Sequence, residues 1–333
     1  MIKSVLLTGI SGFIAKRIAL DLLQAGYRVT GTLRSPKREP EVRAALAANG
    51  LDAAHLDRLS FVHVDLEQDA GWAQAMAGID AVVHTASPFP IAQPKDEQVV
   101  IRPAVDGTLR VLKAARAAGV RRVVLTSSVE AVMHGQSGTL TEANWSDLTS
   151  PTATAYTKSK TLAERAAWDF VARHPEMQLT TINPGLVLGT PLDRETGSSV
   201  GVIKRLYSGK VPAVPDFSLP VTDVADVSQA HVAALTTPAS IGQRYMIADR
   251  FMSIPEMASV LKAAYPRRRI ATRVAPKVLL RILALFDAEL RSILPAIGRT
   301  AGLDNRKLRE ELGVKVTPAQ ESILATARFL DAA

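Results

Sequence analysis

Ile2-Lys3-Ser4-Val5-Leu6-Leu7-Thr8-Gly9-Ile10-Ser11-Gly12-Phe13-Ile14-Ala15 is the stretch whose reading decides the fold. An apolar run of strand length stops at Gly9, and a helical pattern built on Phe13, Ile14, Ile18 and Leu22 begins three residues later. A buried parallel strand that feeds a helix has this form. Gly9 permits a tight turn, Gly12 lets a ligand's pyrophosphate approach the backbone, and small Ala15 lets helix and strand pack closely. The free N–H groups at the helix N-terminus then face the phosphate. Thr8, Gly9, Ser11 and Gly12 are therefore candidate dinucleotide-binding residues. The glycine spacing alone also arises in turns for steric reasons, so the rest of the chain has to support it.

Working outward, segments 27–33, 59–64, 81–88, 122–128 and 178–183 read as strands, separated by helical patterns over 41–59, 97–118 and 153–173. Such alternation predicts an α/β fold with a doubly wound parallel sheet, right-handed crossovers and helices on both faces. Beyond residue 185, Pro191, Pro212, Pro215 and Pro220 punctuate the chain, and helical segments follow near 254–264, 275–286, 304–312 and 317–330. The expected organisation is a dinucleotide-binding domain over 1–185, with strand segments near 221–248 as candidates to return to it. Residues 186–330 are expected to form a smaller, mostly helical substrate lobe.

Composition narrows the function. A hydrophobic content of 47% with 22% charged residues favours a globular protein over disorder. The chain has no cysteine, which excludes disulfides, thiolate metal sites and cysteine nucleophiles, and no metal is expected. No apolar run reaches membrane-spanning length before Lys277, Arg281 or Asp287 interrupts it, so neither a membrane partner nor a secretory route is expected and a cytoplasmic location is. The net charge of +8 comes from scattered basic residues without interleaved aromatics, which favours small anionic ligands over nucleic acid.

The second strand ends at Arg34-Ser35-Pro36-Lys37, where a dinucleotide's adenosine ribose would lie. An acidic residue there would bond a 2′-hydroxyl, whereas the planar guanidinium of Arg34, backed by Lys37, suits a 2′-phosphate. The expected cofactor is NADP(H). Asp65 falls where an adenine contact would lie, and equally where an aspartate would cap the next helix. His84, inside a strand, reads as a packed core residue.

Ser128 ends the fifth strand, and Tyr156 and Lys160 are four residues apart on the following helix, on one face. Hydride delivery to a carbonyl carbon leaves negative charge on its oxygen, which needs a proton donor and a hydrogen-bond partner. Tyr156 can donate that proton, a lysine ammonium beside it together with oxidised nicotinamide would favour the phenolate, and Ser128 can orient the oxygen. Ser128, Tyr156 and Lys160 are therefore the expected catalytic residues.

With these motifs in place, the chain resembles the extended short-chain dehydrogenases/reductases. The resemblance runs through Thr8-Gly9-x-x-Gly12-x-x-Ala15, His84-Thr85-Ala86-Ser87-Pro88, Thr126-Ser127-Ser128, Tyr156-x-x-x-Lys160 and Asn183-Pro184-Gly185-Leu186-Val187-Leu188-Gly189. It is strongest toward the branch of dihydroflavonol 4-reductases, cinnamoyl-CoA reductases and related NADPH-dependent aldehyde or ketone reductases. The resemblance implies a Rossmann sheet whose cofactor is bordered by Phe13, Ile14, Asp65, Leu66, Thr85, Ala86, Ser87, Thr126 and Ser127. It places Pro184, Gly185 and Val187 against the nicotinamide and gives Lys160 the ribose hydroxyls. Ser87, Pro88, Ser128, Leu186 and Tyr207 would reach the substrate.

The expected activity is NADPH-dependent reduction of an apolar or aromatic aldehyde or ketone to the alcohol, by a monomer or homodimer. Leu192, Leu206, Tyr207, Phe217 and the apolar stretches around Leu279 and Phe286 would complete the pocket. An epimerase, dehydratase or hydroxysteroid dehydrogenase is the alternative on the same scaffold, and an NADP(H)-sensing regulator without turnover is the alternative from another class.

Overall fold

A computed structural model describes residues 2–87, 96–286 and 288–332. Its centre is a seven-stranded sheet built from β1 (Ser4–Thr8), β2 (Arg28–Leu33), β3 (Leu59–His63), β4 (Ala81–His84), β5 (Arg122–Thr126), β6 (Gln178–Pro184) and β7 (Gln243–Ile247). The strands run in the order β7-β6-β5-β4-β1-β2-β3, and every pairing is parallel. Val5, Leu6 and Leu7 are fully buried, as a strand covered on both faces requires. The chain winds away from β1 in both directions, so a crevice opens beyond the carboxyl ends of β1 and β4.

Two helical layers close the sheet. On one face, α1 (Phe13–Gln24) inserts Ile18, Leu22 and Leu23 into a core shared with Ala230, Ala234 and Leu235 of α4 (Val224–Thr236). Each of these large side chains contributes about 1.5–3 kcal/mol of burial free energy. On the other face, α2 (Gln98–Ala117) packs beside α3 (Ala155–Ala172), and Val111, Leu112, Ala167 and Phe170 fill the second core.

The smaller lobe begins where β6 ends. A three-stranded sheet pairs Leu186–Leu188 with Ser218–Asp223, and that strand with Phe251–Ser253. Helices Ser198–Tyr207, Ile254–Ala264 and Ala319–Ala332 pack on it around Leu188, Val221, Met257, Leu261 and Ile323. Gly185 makes the junction possible, because a Cβ there would lie 2.1 Å from the Pro220 carbonyl oxygen. Polar straps fasten the segment after Leu188 back to the first domain: buried Lys16 bonds Asp193, Arg38 pairs with Glu195 at 3.3 Å, and Asn49 donates to the Leu192 carbonyl at 2.9 Å.

Three expectations need correcting. The helix read over 41–59 is two helices, Glu39–Ala48 and Ala53–Leu56, because the chain turns at Asn49-Gly50 and restarts at Asp52, whose carboxylate accepts from His55 N at 2.9 Å. The proline-punctuated stretch, where no helix is expected before 254, holds two, Ser198–Tyr207 and α4, which the prolines flank without entering. The apolar stretch around Leu279 and Phe286 does not turn inward: these side chains are 44% and 88% exposed.

Candidate active site

The site is assembled where β1, β4, β5 and β6 end. Gly9 adopts φ +67°, and a Cβ there would lie 3.0 Å from that of Ala86, so the turn after β1 sits directly against the segment after β4. Thr8 locks the two ends. Its Oγ1 accepts the N–H groups of Thr85 and Ala86, both at 3.0 Å, and contacts His84 Nδ1 at 2.7 Å. With its lone pairs committed, the Thr8 hydroxyl proton points to His84 Nδ1, which leaves the histidine's own proton on Nε2. Burial, and then the Lys160 charge, push His84 down to about 3, so it is a neutral structural member of this corner. Thr85 donates back to the Thr8 carbonyl.

Beyond this corner α1 starts at Gly12 with no side chain capping it. Only the Gly9 carbonyl oxygen would lie within 4 Å of a Cβ on Gly12. An uncapped helix N-terminus with a bare approach fits a diphosphate. Phe13 is buried and Ser11 and Ile14 are half-buried around it. At the end of β2, Arg34 and Lys37 are exposed and neither makes a side-chain bond among the described residues, whereas Arg38 is held by Glu41 at 2.8 and 3.0 Å. Arg34 and Lys37 therefore remain available to a phosphate on the ribose, and these residues fit NADP(H). Asp65 instead accepts from Glu67 N at 3.0 Å and its carbonyl accepts from Trp72, so its side chain organises a turn; Leu66 packs against Gly107.

Ser128 and Tyr156 meet through a side-chain hydrogen bond, and the Lys160 ammonium stands 6.0 Å from the centre of the Tyr156 ring. Helix α3 brings the latter two together because it begins at Thr154, whose hydroxyl accepts from Thr157 N at 3.1 Å. Ser128 Oγ also accepts from Glu130 N at 3.2 Å and lies 3.5 Å from the Pro184 carbonyl oxygen, which sets it between β5 and β6. Burial, reinforced by the Glu130 carboxylate, raises Tyr156 above its ordinary value, and the bond to Ser128 opposes this only in part. Burial lowers Lys160 to about 8, and the Glu164 charge resists that fall. In the protein alone burial dominates the Tyr156 shift; the fall expected of lysine acting together with oxidised nicotinamide belongs to the cofactor-bound protein.

Two carboxylates that sequence reading passed over complete the site. Glu164, one turn beyond Lys160, is fully buried and receives Ser127 Oγ at 2.5 Å, Asn183 Nδ2 at 2.7 Å, Arg244 Nε at 2.6 Å, Thr181 Oγ1 at 3.1 Å and Trp168 Nε1 at 3.2 Å. Glu130 contacts His134 Nε2 at 2.8 Å and accepts from Thr157 at 2.6 Å. The signal for both was a carboxylate close in sequence to Ser128 or Lys160, but several of their partners lie on distant segments.

The remaining expected residues divide. Ser87 and Ala86 border the crevice, and Gly185 holds the end of β6 by donating to Thr222 Oγ1 at 2.9 Å. The side chains of Thr126 and Ser127 are turned to His231 (2.7 Å) and Glu164 (2.5 Å), so only their backbones remain for a cofactor. Val187 is buried among Phe13, Val200, Val224 and Val227, and Leu186 packs on the lobe core. Tyr207 does not face the crevice: it is 5% exposed, its ring meets Tyr265 edge-on and its hydroxyl donates to Asp331 at 2.9 Å. Leu206 and Phe217 join the same core, and Leu192 packs on the first domain. Pro88 lies outside the described residues.

Comparison with known proteins agrees with this fold. Residues 5–248 match the family described as "NAD dependent epimerase/dehydratase family". An anthocyanidin reductase of Vitis vinifera is 34% identical over 288 residues, covering 81% of this chain and 83% of its own length. Cinnamoyl-CoA reductase 1 of Arabidopsis thaliana is 32% identical over 277 residues, covering 81% and 77%. Among solved structures, the yeast methylglyoxal/isovaleraldehyde reductase complexed with NADPH superposes with a TM-score of 0.81 at 27% identity, over 99% of this chain and 98% of its own. The chain belongs to the NAD dependent epimerase/dehydratase family, the extended short-chain dehydrogenases/reductases, and is an oxidoreductase.

Proposed function

We propose that the protein reduces an apolar or aromatic aldehyde or ketone to the alcohol at the expense of NADPH. The observation that carries this reading is the Ser128–Tyr156 hydrogen bond beside Lys160, at the same strand ends that present the uncapped α1 N-terminus. The cofactor is NADP(H): Gly9, Gly12 and the α1 N-terminus hold its diphosphate, while Arg34 and Lys37 hold the 2′-phosphate. When bound, it supplies the hydride.

The protein's own groups handle the oxygen and the proton. Ser128, fixed by the Glu130 N–H, orients the carbonyl oxygen beside the Tyr156 hydroxyl. Because Tyr156 is held protonated by burial and by Glu130, it is a proton donor over the ordinary pH range and gives its proton to the oxygen as negative charge develops there. The Lys160 ammonium then stabilises the phenolate. Glu164 keeps Lys160 charged from one turn below.

An epimerase or dehydratase would call for a tightly held NAD, and exposed Arg34 in place of an acid does not favour it. A sensor without turnover has no use for a serine-bonded tyrosine. The test is a panel of aliphatic and aromatic aldehydes and ketones offered with NADPH or NADH. Carbonyl-dependent loss of the reduced-nicotinamide absorbance, faster with NADPH, is expected. Absence of turnover across the panel, or preference for NADH, contradicts the reading.

A further inference from the structure

Among the described residues nine large apolar side chains are exposed, and seven of them fall between Val274 and Phe286. Six belong to or directly follow a short helix, α5 (Lys277–Leu283): Val278 67%, Leu279 44%, Ile282 52%, Leu283 44%, Leu285 69% and Phe286 88% exposed. Only Leu280 and Ala284 are buried beneath it, at 3% and 2%. At about 100° per residue, Val278, Leu279, Ile282 and Leu283 span a continuous arc of about 140°. Scattered single apolar side chains are ordinary on a protein surface, but a continuous strip of this kind marks an interaction site.

Its charge says what it meets. The basic residues read as scattered are in fact concentrated here: residues 267–299 hold eight lysines and arginines against two acidic residues, so a tenth of the chain carries three quarters of the net charge of +8. Arg267, Arg269, Arg273, Lys277, Arg281, Arg291 and Arg299 are all exposed. Lys277 and Arg281 lie at the border between the apolar arc and the buried side of α5, where long cationic side chains extend beside an apolar face. A second copy of this chain is a poor occupant, since a twofold contact would set these cations against their own equivalents. A surface that is negative outside and apolar beneath matches both features.

We propose that α5 and its flanking arginines dock the protein on anionic lipid bilayers, with Ile282, Leu285 and Phe286 entering the headgroup boundary and Arg273, Lys277 and Arg281 meeting the lipid phosphates. The expectation of no membrane partner rested on the absence of a spanning run; among the described residues no helix is long and apolar enough to cross a membrane, but interfacial docking needs none. The inference stands independently of the proposed reaction.

The experiment is flotation of the purified protein with vesicles of phosphatidylcholine alone or mixed with phosphatidylglycerol, alongside sedimentation over a range of protein concentrations. Binding to the mixed vesicles is expected, weakening with added salt. Lys277→Gln/Arg281→Gln should lower it about 25-fold, taking about fivefold per cation near the surface. Ile282→Glu/Leu285→Glu should abolish it while leaving NADP(H) binding at the wild-type level, which also shows the variant to be folded. No binding to the mixed vesicles, equal binding to the neutral ones, or a concentration-dependent dimer that Ile282→Glu/Leu285→Glu dissolves would each overturn the proposal.

Discussion

Replacing Glu164 by glutamine should move the pH dependence of the reaction in a direction fixed by geometry. Lys160 is held at about 8 by burial acting against the Glu164 charge. The two residues are one helical turn apart, which puts their Cβ atoms about 6 Å from one another and their charges at a similar separation. At that distance, with an effective dielectric constant of about 20, the attraction is about 3 kcal/mol. Removing it carries the protonation midpoint of Lys160 from about 8 toward about 6. The ammonium is the working form, so activity is full below the midpoint and is lost as pH rises through it. At neutral pH the fall in charged lysine from most to a minority of molecules should slow the reaction about tenfold. Arg244→Gln serves as the counterpart, since it removes the cation that Arg244 places 2.6 Å from Glu164 and should move the same limb upward. The assay is NADPH oxidation across pH in variants whose melting curves show a cooperative fold. Opposite displacements support the electrostatic role. Two variants that lose rate alike at every pH would show that Glu164 and Arg244 only hold the structure together.

Further outcomes follow from other parts of the molecule. Arg34→Gln should raise the KM for NADPH about 10- to 100-fold, the worth of a charge-assisted phosphate contact, and change that for NADH little; equal effects on both would remove Arg34 from the 2′-phosphate. Gly185→Ala would push a methyl group into the Pro220 carbonyl oxygen, so a loss of several degrees in Tm is expected, and an unchanged Tm would contradict the tight junction of β6 with the lobe. His231 is buried neutral and pushed down to about 4 by burial, whereas the unfolded chain takes up a proton near pH 6.5. Stability should therefore fall as pH drops from about 6.5 to 4, by about 3 kcal/mol for this group. His231→Gln should flatten that fall relative to the wild type, and a parallel pH dependence would refute the assignment.

The large sheet was legible because its strands are buried on both faces and read as continuous apolar runs ended by small or polar residues, as Val5 to Gly9 illustrates. Tyr156 and Lys160 were legible because helical periodicity alone puts them on one face. Helix α4 was not, since its strongly apolar composition, with Val224, Val227, Ala230 and Leu235 all buried, blurs the amphipathic period. The two carboxylates beside the site were missed for a different reason. Glu164 looks like a surface residue until Arg244, eighty positions later, is brought beside it by β7. Tyr207 shows the reverse error: an aromatic in the expected pocket lobe belongs to that lobe's core, with its hydroxyl spent on Asp331. The exposed face of α5 was equally hidden, because hydrophobicity in a sequence does not say which side of a lobe it will occupy.

The central claim is that Tyr156 delivers the proton while the protein binds NADPH through other residues. Its most direct measurement is carbonyl-dependent NADPH oxidation by Tyr156→Phe together with the Kd of that variant for NADPH. A rate reduced at least about 100-fold at an unchanged Kd is the predicted result. A Tyr156→Phe protein that turns over at the wild-type rate would contradict it.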